Sequence, residues 1–246
     1  MFQKNALATR TEFDMRFRER NINPSCYVGV IILQIDIPVS LFDMTGVSLL
    51  LLSAIDILLH IWLDWSKLKM QGSIREREPE FSTPTGAMIA ASISTLLSFS
   101  LVLIIIYSWG SGSGLGFLST FLIYVFLQSE VLWTIGYILT SLGIVLHIWS
   151  RYTRQEMATS WAMDKEHRLV TSGPYSFIRH PSYSAYIVCF IGLFLLIPSL
   201  VTALLIPGIW GYYLIAKREE EMLLAHFGDE YVKYRQRTGM FIPRIR

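Results

Sequence analysis

Long apolar runs separated by short polar segments organise this chain. Predominantly apolar stretches at 44–63, 86–108 and 131–150 are each close to the ~20 residues that a helix needs to cross a bilayer. A further apolar run, 184–216, is broken by Pro198 and Pro207. It is too long for one helix and short for two full ones, so the pattern predicts a tight helical hairpin turning near Pro198 and Ser199. That hairpin would return the chain to the side it left. Segment 27–42 is apolar but interrupted by Asp36 and Pro38, with Asp43 just beyond, and reads as a short, broken or re-entrant piece. Ser82, Thr83 and Pro84 mark a helix start, a hydroxyl cap before an early proline. Ser92, Ser94 and Ser98 on the span that follows are small enough to let helices approach closely. Residues 108–117, rich in Gly and Ser, form a loop. A phosphate-binding loop is excluded there, because the stretch has no lysine, no G-K-[ST] and no flanking strand pattern. Residues 118–128 are apolar but short, and predict an interfacial or partly inserted helix.

Composition and charge sharpen this into a membrane protein. The chain is 52% hydrophobic and 16% charged, against roughly 25% charged in ordinary globular chains. The expected fold is all-α and polytopic, with five transmembrane helices, or six if 27–42 also crosses, and a cytoplasmic amphipathic C-terminal helix that carries Glu219 to Tyr234 and closes the site. Residues 1–26 read as a polar tail and 27–246 as a single membrane domain, with a cofactor-binding part at 151–246. All 21 Lys and Arg fall in 1–26, 64–80, 151–182 and 217–246, and 109–129 holds none. By the positive-inside rule the basic segments face the cytoplasm. Five crossings would put the basic tail outside, and six would bring it inside. The net charge of +2 is too small to suggest a nucleic-acid partner. Nothing calls for an obligate protein partner. Cys26 and Cys189 fit neither a disulfide framework nor a zinc site. The polar first 26 residues are not a signal peptide.

One span carries ionisable groups. Asp56, His60 and Asp64 recur at intervals of four and share a helix face. Such groups inside a span are costly and invite a functional reading. The expectation is that Asp56 and His60 hydrogen-bond each other or a neighbouring helix, with metal or proton chemistry as the alternative.

The densest chemistry lies between two apolar runs, at 167–183. Gly173-Pro174 and His180-Pro181 break any helix, since proline fixes its own φ and pushes the preceding residue out of the α region. Irregular backbone beside a membrane must line a watery site or be buried in protein. The histidines, tyrosines and arginines of this connector therefore predict a polar, aromatic-walled pocket at the membrane edge.

His167, Leu169, Val170, Gly173, Tyr175, Arg179, His180, Pro181 and Tyr183 follow the pattern H-x-L-V-x-x-G-x-Y-x-x-x-R-H-P-x-Y. A second block has Glu219, Glu220, Leu223, Phe227, Gly228, Tyr231 and Tyr234, then Pro243. Together these closely resemble the isoprenylcysteine carboxyl methyltransferase family, and the phospholipid N-methyltransferases share much of the pattern. The resemblance covers about residues 130–246. It implies an S-adenosyl-L-methionine cofactor and a lipid or prenylated cysteine substrate, among membrane lipids. It places the active site on the cytoplasmic side, at the endoplasmic reticulum in a eukaryote or the plasma membrane in a prokaryote.

The residues the resemblance assigns to the cofactor are His167, Arg168, Leu169, Val170, Tyr175, His180, Pro181, Ser182, Tyr183, Glu219 and Glu220. Tyr175 and Tyr183 suit a sulfonium through cation–π attraction. One glutamate would meet the donor's ammonium group. The carboxyl methyltransferases carry an arginine one turn before the glutamates, where this chain has Ile215. The nearest cations there are Lys217 and Arg218, expected as the catalytic pair that meets an acceptor carboxylate. Arg218 is favoured, because a guanidinium grips a carboxylate with two parallel hydrogen bonds. The two point about 100° apart on a helix, so only one can face the pocket. A second departure is Ala185, where many relatives have glycine. The alternatives at this stage are methylation of a phospholipid amine, an NADPH-dependent membrane reductase, and a non-enzymatic channel or transporter.

Overall fold

The computed structural model describes residues 39–70, 84–112, 125, 129–154 and 169–244. The expected tail 1–26, segment 27–38 and most of 113–128 lie outside these residues. The described chain is helical. It comprises α1 (Val39–Met70), α2 (Thr85–Gly110), α3 (Glu130–Arg154), α4 (Pro181–Leu196), α5 (Leu200–Ala203), α6 (Ile206–Phe227) and α7 (Asp229–Arg237). One 3₁₀ turn covers Gly173–Ser176, and an isolated parallel bridge joins Ile178 to Gly239.

Four stretches are long and apolar enough to cross a membrane: Val39–Leu63, Thr85–Gly110, Glu130–Arg154 and Leu200–Phe227. Pro181–Leu196 is a shorter apolar helix. Leu58 and Trp62 on α1, Leu96 and Tyr107 on α2, Val131 on α3 and Trp210 on α6 all stand exposed. In water so much apolar surface would drive aggregation; against lipid it costs nothing. The chain is an all-α, polytopic integral membrane protein.

The hairpin turns where the prolines place it. α4 ends at Leu196, and Ser199 and Thr202 cap α5 reciprocally, side chain to backbone in both directions. Pro207 stands in the first turn of α6, where a missing N–H is harmless. Two expectations are corrected. Asp43 does not break the first span but sits inside α1, because its Oδ1 accepts the Trp109 indole N–H at 3.0 Å. That indole lies directly on Gly46, where a Cβ would overlap Trp109 Cγ. The second correction concerns Glu219, expected on a separate amphipathic C-terminal helix. α6 instead runs unbroken from the membrane through Glu219 to Phe227, and the chain turns only at Gly228, whose φ of 50° disfavours a side chain.

The tightest packing is between α3 and α4. Gly136 and Gly192 face each other so closely that a Cβ on Gly136 would lie 2.7 Å from the Gly192 carbonyl oxygen, and one on Gly192 would lie 2.5 Å from the Thr140 nitrogen. Gly143 meets the Ala185 carbonyl in the same way, at 2.8 Å. The glycine that many relatives carry at Ala185 is thus supplied from the opposite helix. Between α2 and α6 the small face is Ala87, Ala91, Ser94 and Ser98, packed on Gly208 and Gly211, whereas Ser92 faces outward. Lipid gives apolar helices little reason to prefer one partner, so close backbone approach at small residues sets these pairs.

Gly143→Val should push α3 from α4 and destabilise the fold by about 1–3 kcal/mol, the usual range for overpacking. A lowered melting temperature in detergent would show it. Gly86→Ala, where a Cβ meets nothing within 4 Å, should leave the melting temperature unchanged. Equal melting temperatures for the two variants would contradict the α3–α4 contact.

Candidate active site

The connector is held in place from behind by the C-terminal segment. The Gly239 N–H donates to the Phe177 carbonyl at 3.1 Å, the Arg179 N–H to Gly239 at 2.9 Å, and the His180 N–H to Met240 at 3.1 Å. Ser184 Oγ donates to the Phe241 carbonyl at 2.9 Å. Gly239 leaves no room for a side chain, since a Cβ would meet the Ile242 carbonyl oxygen. Gly173 turns with φ of 56°, against Thr153. On α7 the Tyr234 hydroxyl donates to the Tyr175 carbonyl at 2.7 Å. The irregular backbone therefore finds its partners within protein, as a segment at a membrane requires.

Onto this frame the connector brings a guanidinium and an imidazole that meet two carboxylates of α6. Arg179 Nε donates to Glu220 Oε1 at 2.6 Å, and its Nη1 to the Thr238 carbonyl at 2.5 Å. His180 Nδ1 lies 3.3 Å from Glu219 Oε2, and its Nε2 3.5 Å from Glu220 Oε1. Burial works to lower the pKa of His180, but hydrogen bonds and charge from Glu219 and Glu220 outweigh it and hold it above the ordinary value. The Tyr183 hydroxyl donates to Glu219 Oε1 at 2.5 Å. The two glutamates thus differ. Arg179, His180 and, at 3.8 Å, Arg235 surround Glu220, whereas Glu219 faces His180 and Tyr183 and is the more open, its side chain 15% exposed against 10%.

Aromatic rings continue from this cluster towards the membrane. The rings of His180 and Tyr183 stack with centroids 5.6 Å apart and planes within 3°. Tyr183 meets Tyr212 of α6 at 4.9 Å, and Tyr212 stacks on Tyr186 of α4 at 5.1 Å. On the other flank Ser150 Oγ lies 2.6 Å from Ser182 Oγ and 3.1 Å from the Tyr175 hydroxyl. Arg154, half-buried at the end of α3, lies on the same flank, within electrostatic reach of Tyr175, Glu219 and Tyr183.

Of the residues expected at the site, Tyr175, His180, Pro181, Ser182, Tyr183, Glu219 and Glu220 are brought together or lie in the same segment, with Leu169 and Val170 half-buried just before it. His167 and Arg168 lie outside the described residues. Lys217 and Arg218 are not brought in. Both are exposed, and Arg218 Nη1 donates to Glu221 Oε2 at 2.8 Å on the outer face of α6. Ile215, at the arginine's place, is buried in the apolar core. Arg179, read in the motif but given no role, holds Glu220, and the site residues missed are Ser150, Arg154 and Tyr212. Tyr212 could have been found, since it lies two turns before Glu219 on one face of α6. Arg154 could not, because its face depends on how α3 meets the connector.

The residues present suit S-adenosylmethionine. A half-open carboxylate can pair with an ammonium group, and a stacked His180–Tyr183 pair offers a flat aromatic wall to a sulfonium. His180 Nε2 is buried, with Glu220 Oε1 3.5 Å away.

Comparison with known proteins places this geometry. Residues 131–230 match the family model described as phospholipid methyltransferase. The chain is 36% identical over 86 residues to the protein-S-isoprenylcysteine O-methyltransferase of Schizosaccharomyces pombe, covering 33% of this chain and 36% of that protein. It is 36% identical over 118 residues to the cobalt-zinc-cadmium resistance protein CzcN of Cupriavidus metallidurans, covering 48% of this chain and 51% of that one. The solved structure of the eukaryotic intramembrane Ras methyltransferase ICMT aligns over 68% of this chain and 55% of its own, at 27% identity and a TM-score of 0.41. The chain spans about a third to a half of the length of these two curated relatives. The family match covers the whole connector and most of the second motif block, and it bears out the resemblance read from them: over its C-terminal half this chain is similar to the isoprenylcysteine carboxyl methyltransferases.

Proposed function

We propose that this protein transfers a methyl group from S-adenosylmethionine to the carboxylate of a prenylated cysteine or a similar lipid-borne acid at the membrane surface. The observation that carries this reading is the pairing of Glu219 and Glu220 with His180, Tyr183 and Arg179, beneath a ladder of aromatic rings. The names of the relatives support the reaction class. The charge asymmetry along the sequence supports a cytoplasmic site, at the endoplasmic reticulum or the plasma membrane according to the cell.

When bound, S-adenosylmethionine supplies an electrophilic methyl on a sulfonium. An acceptor carboxylate oxygen forms the new C–O bond as the S–C bond breaks, and no proton need move. The protein's task is therefore position and dryness. Glu219 holds the ammonium end, and the His180–Tyr183 stack faces the sulfonium. Arg179 and Arg235 keep Glu220 neutralised, so that one carboxylate of the pair remains for the ligand. An acceptor carboxylate needs a cation, since burying it unpaired is costly. With Arg218 turned outward, we assign that role to Arg154, which lies within electrostatic reach of Tyr175, Tyr183 and Glu219.

The second reading, methylation of a phospholipid amine, is favoured by Ile215 at the arginine's place and by the family model matched. An amine acceptor must lose its proton and would be repelled by a nearby cation, so Arg154 separates the two.

S-adenosylhomocysteine should raise the melting temperature of the purified protein, as any ligand of the folded state alone does. His180→Ala and Glu219→Gln should weaken its binding by about 10–100-fold, the loss of one charge-assisted contact at about 1.5–3 kcal/mol. Unchanged affinity in both would overturn the site, and a shift with NADPH but none with S-adenosylhomocysteine would favour the reductase.

Turnover at saturating donor is the second measurement. Arg154→Ala should lose turnover on a prenylcysteine acceptor while still binding S-adenosylhomocysteine. Arg218→Ala should keep full activity. The reverse pattern would restore Arg218 to the acceptor, and activity on a phospholipid amine that survives Arg154→Ala would favour the second reading.

A further inference from the structure

Asp56, His60 and His147 form a second polar cluster within the helices. Asp56 and His147 are 5% and 7% exposed, inside spans where charge is costly. His147 Nδ1 lies 3.1 Å from Asp56 Oδ1, across the α1–α3 contact. His60 Nδ1 donates to the Asp56 carbonyl at 2.8 Å and lies 3.6 Å from Asp56 Oδ1. The two imidazoles stack with centroids 5.3 Å apart and planes within 12°. One ligand atom from each of the three lies within 4.8 Å of the others.

We propose that Asp56, His60 and His147 bind one divalent cation of the zinc class, Zn²⁺ or Co²⁺. Two imidazoles and a carboxylate suit these borderline metals, whereas Mg²⁺ and Ca²⁺ take oxygen. The spacing fits. Ligands ~2.0–2.1 Å from a tetrahedral ion stand about 3.3–3.4 Å apart, and the two Asp56–imidazole distances, 3.1 Å and 3.6 Å, bracket that value. Closure needs the third separation, between the imidazoles and at most 4.8 Å, to shorten, the two rings to turn out of their stack so that both nitrogens face the ion, and release of the His60 bond to the Asp56 carbonyl.

The surroundings support a site. The Tyr186 hydroxyl lies 3.0 Å from His147 Nε2. With Nδ1 on the metal, Nε2–H donates to that hydroxyl, the outer contact that fixes a metal-bound imidazole. A cavity of about 80 Å³ adjoins Asp56 and His147 and is lined also by Ser53, Ser98, Tyr186 and Cys189. A single water needs about 10–15 Å³ by the same measure, so an exogenous fourth ligand has room. The helices connect this site to the active site without merging the two. His147 precedes Ser150 by about one turn of α3, and Tyr186 follows Ser182 by about one turn of α4. The cation would therefore sit one turn from the Ser150–Ser182–Tyr175 contacts and tie α1 to α3 there.

The test is Co²⁺ titration of the chelator-treated full-length protein in detergent. One equivalent should bind with the intense visible absorption of a four- or five-coordinate ion, and Zn²⁺ should displace it. His60→Ala and His147→Ala should each lose Co²⁺ affinity by more than tenfold, and Tyr186→Phe by about tenfold. His226→Ala, on an exposed residue outside the cluster, should keep it. The half-exposed His60 makes loss of binding through misfolding easy to separate, and a melting transition confirms the fold of each variant. No stoichiometric Co²⁺ in the folded wild type, or equal binding by His60→Ala, would overturn the proposal. Because binding is read directly, a failed methyltransferase assay leaves this result standing, and a failed titration leaves the methyltransferase reading intact.

Discussion

Two neighbouring carboxylates, Glu219 and Glu220, emerge from the membrane on α6, and the rest of the site depends on what meets them. Consecutive helix positions point about 100° apart, so the two carboxylates need partners from more than one direction. The connector supplies them with its own consecutive pair: Arg179 meets Glu220, and His180 lies between the two, 3.3 Å from Glu219 and 3.5 Å from Glu220. Proline after His180 keeps the backbone there out of the helix, at φ of −121° and ψ of 61°, which lets the two side chains reach one helix from outside it. The backbone bonds to Gly239 and Met240 then fix their position. Removing either partner would leave a buried charge alone, which costs far more than the pair contributes. The network is thus better understood as a device for position than as a source of stability.

The same reasoning explains why the chain uses glycine so heavily on α3 and α4. The connector leaves α3 and re-enters at α4, so the shape of the site depends on the distance between those helices. Gly136, Gly143 and Gly192 bring the backbones into contact. Ser150 and Ser182 can then meet at 2.6 Å, and the Tyr175 hydroxyl is held 3.1 Å from Ser150. A wider pair would leave these hydroxyls unpaired in an apolar setting.

Much of this was legible in the sequence, and the remainder fails for identifiable reasons. Spans and hairpin were readable because lipid demands long apolar runs and proline marks their breaks. The connector was readable because two prolines amid tyrosines and histidines suit neither a spanning helix nor a plain solvent loop. Asp43 misled because a carboxylate in an apolar run looks like a break, and its partner, Trp109, is 66 residues away. Glu219 was assigned to a separate helix because charge begins there, although a change in polarity does not bend a helix; Gly228 does. Arg218 was chosen by chemistry, but which face of α6 meets the connector is a tertiary fact. Asp56 was expected to meet a neighbouring helix, but its partner there, His147, lies 91 residues away and could not be named from the sequence.

These polar contacts also bear on how apolar helices choose one arrangement. Lipid tails are as apolar as leucine, so side-chain burial alone discriminates poorly between registers. A hydrogen bond inside the membrane does discriminate, because a slipped register leaves both groups unpaired. Trp133 to Thr45 and His147 to Asp56 join α3 to α1, and Tyr212 with Thr95 joins α6 to α2. Tyr186 then bonds His147 while its ring lies on Tyr212. One tyrosine on α4 therefore reads the positions of α3 and α6 together. A shift of either helix by one turn would break a hydrogen bond or a ring stack, so the aromatic ladder that walls the active site also holds the bundle in register.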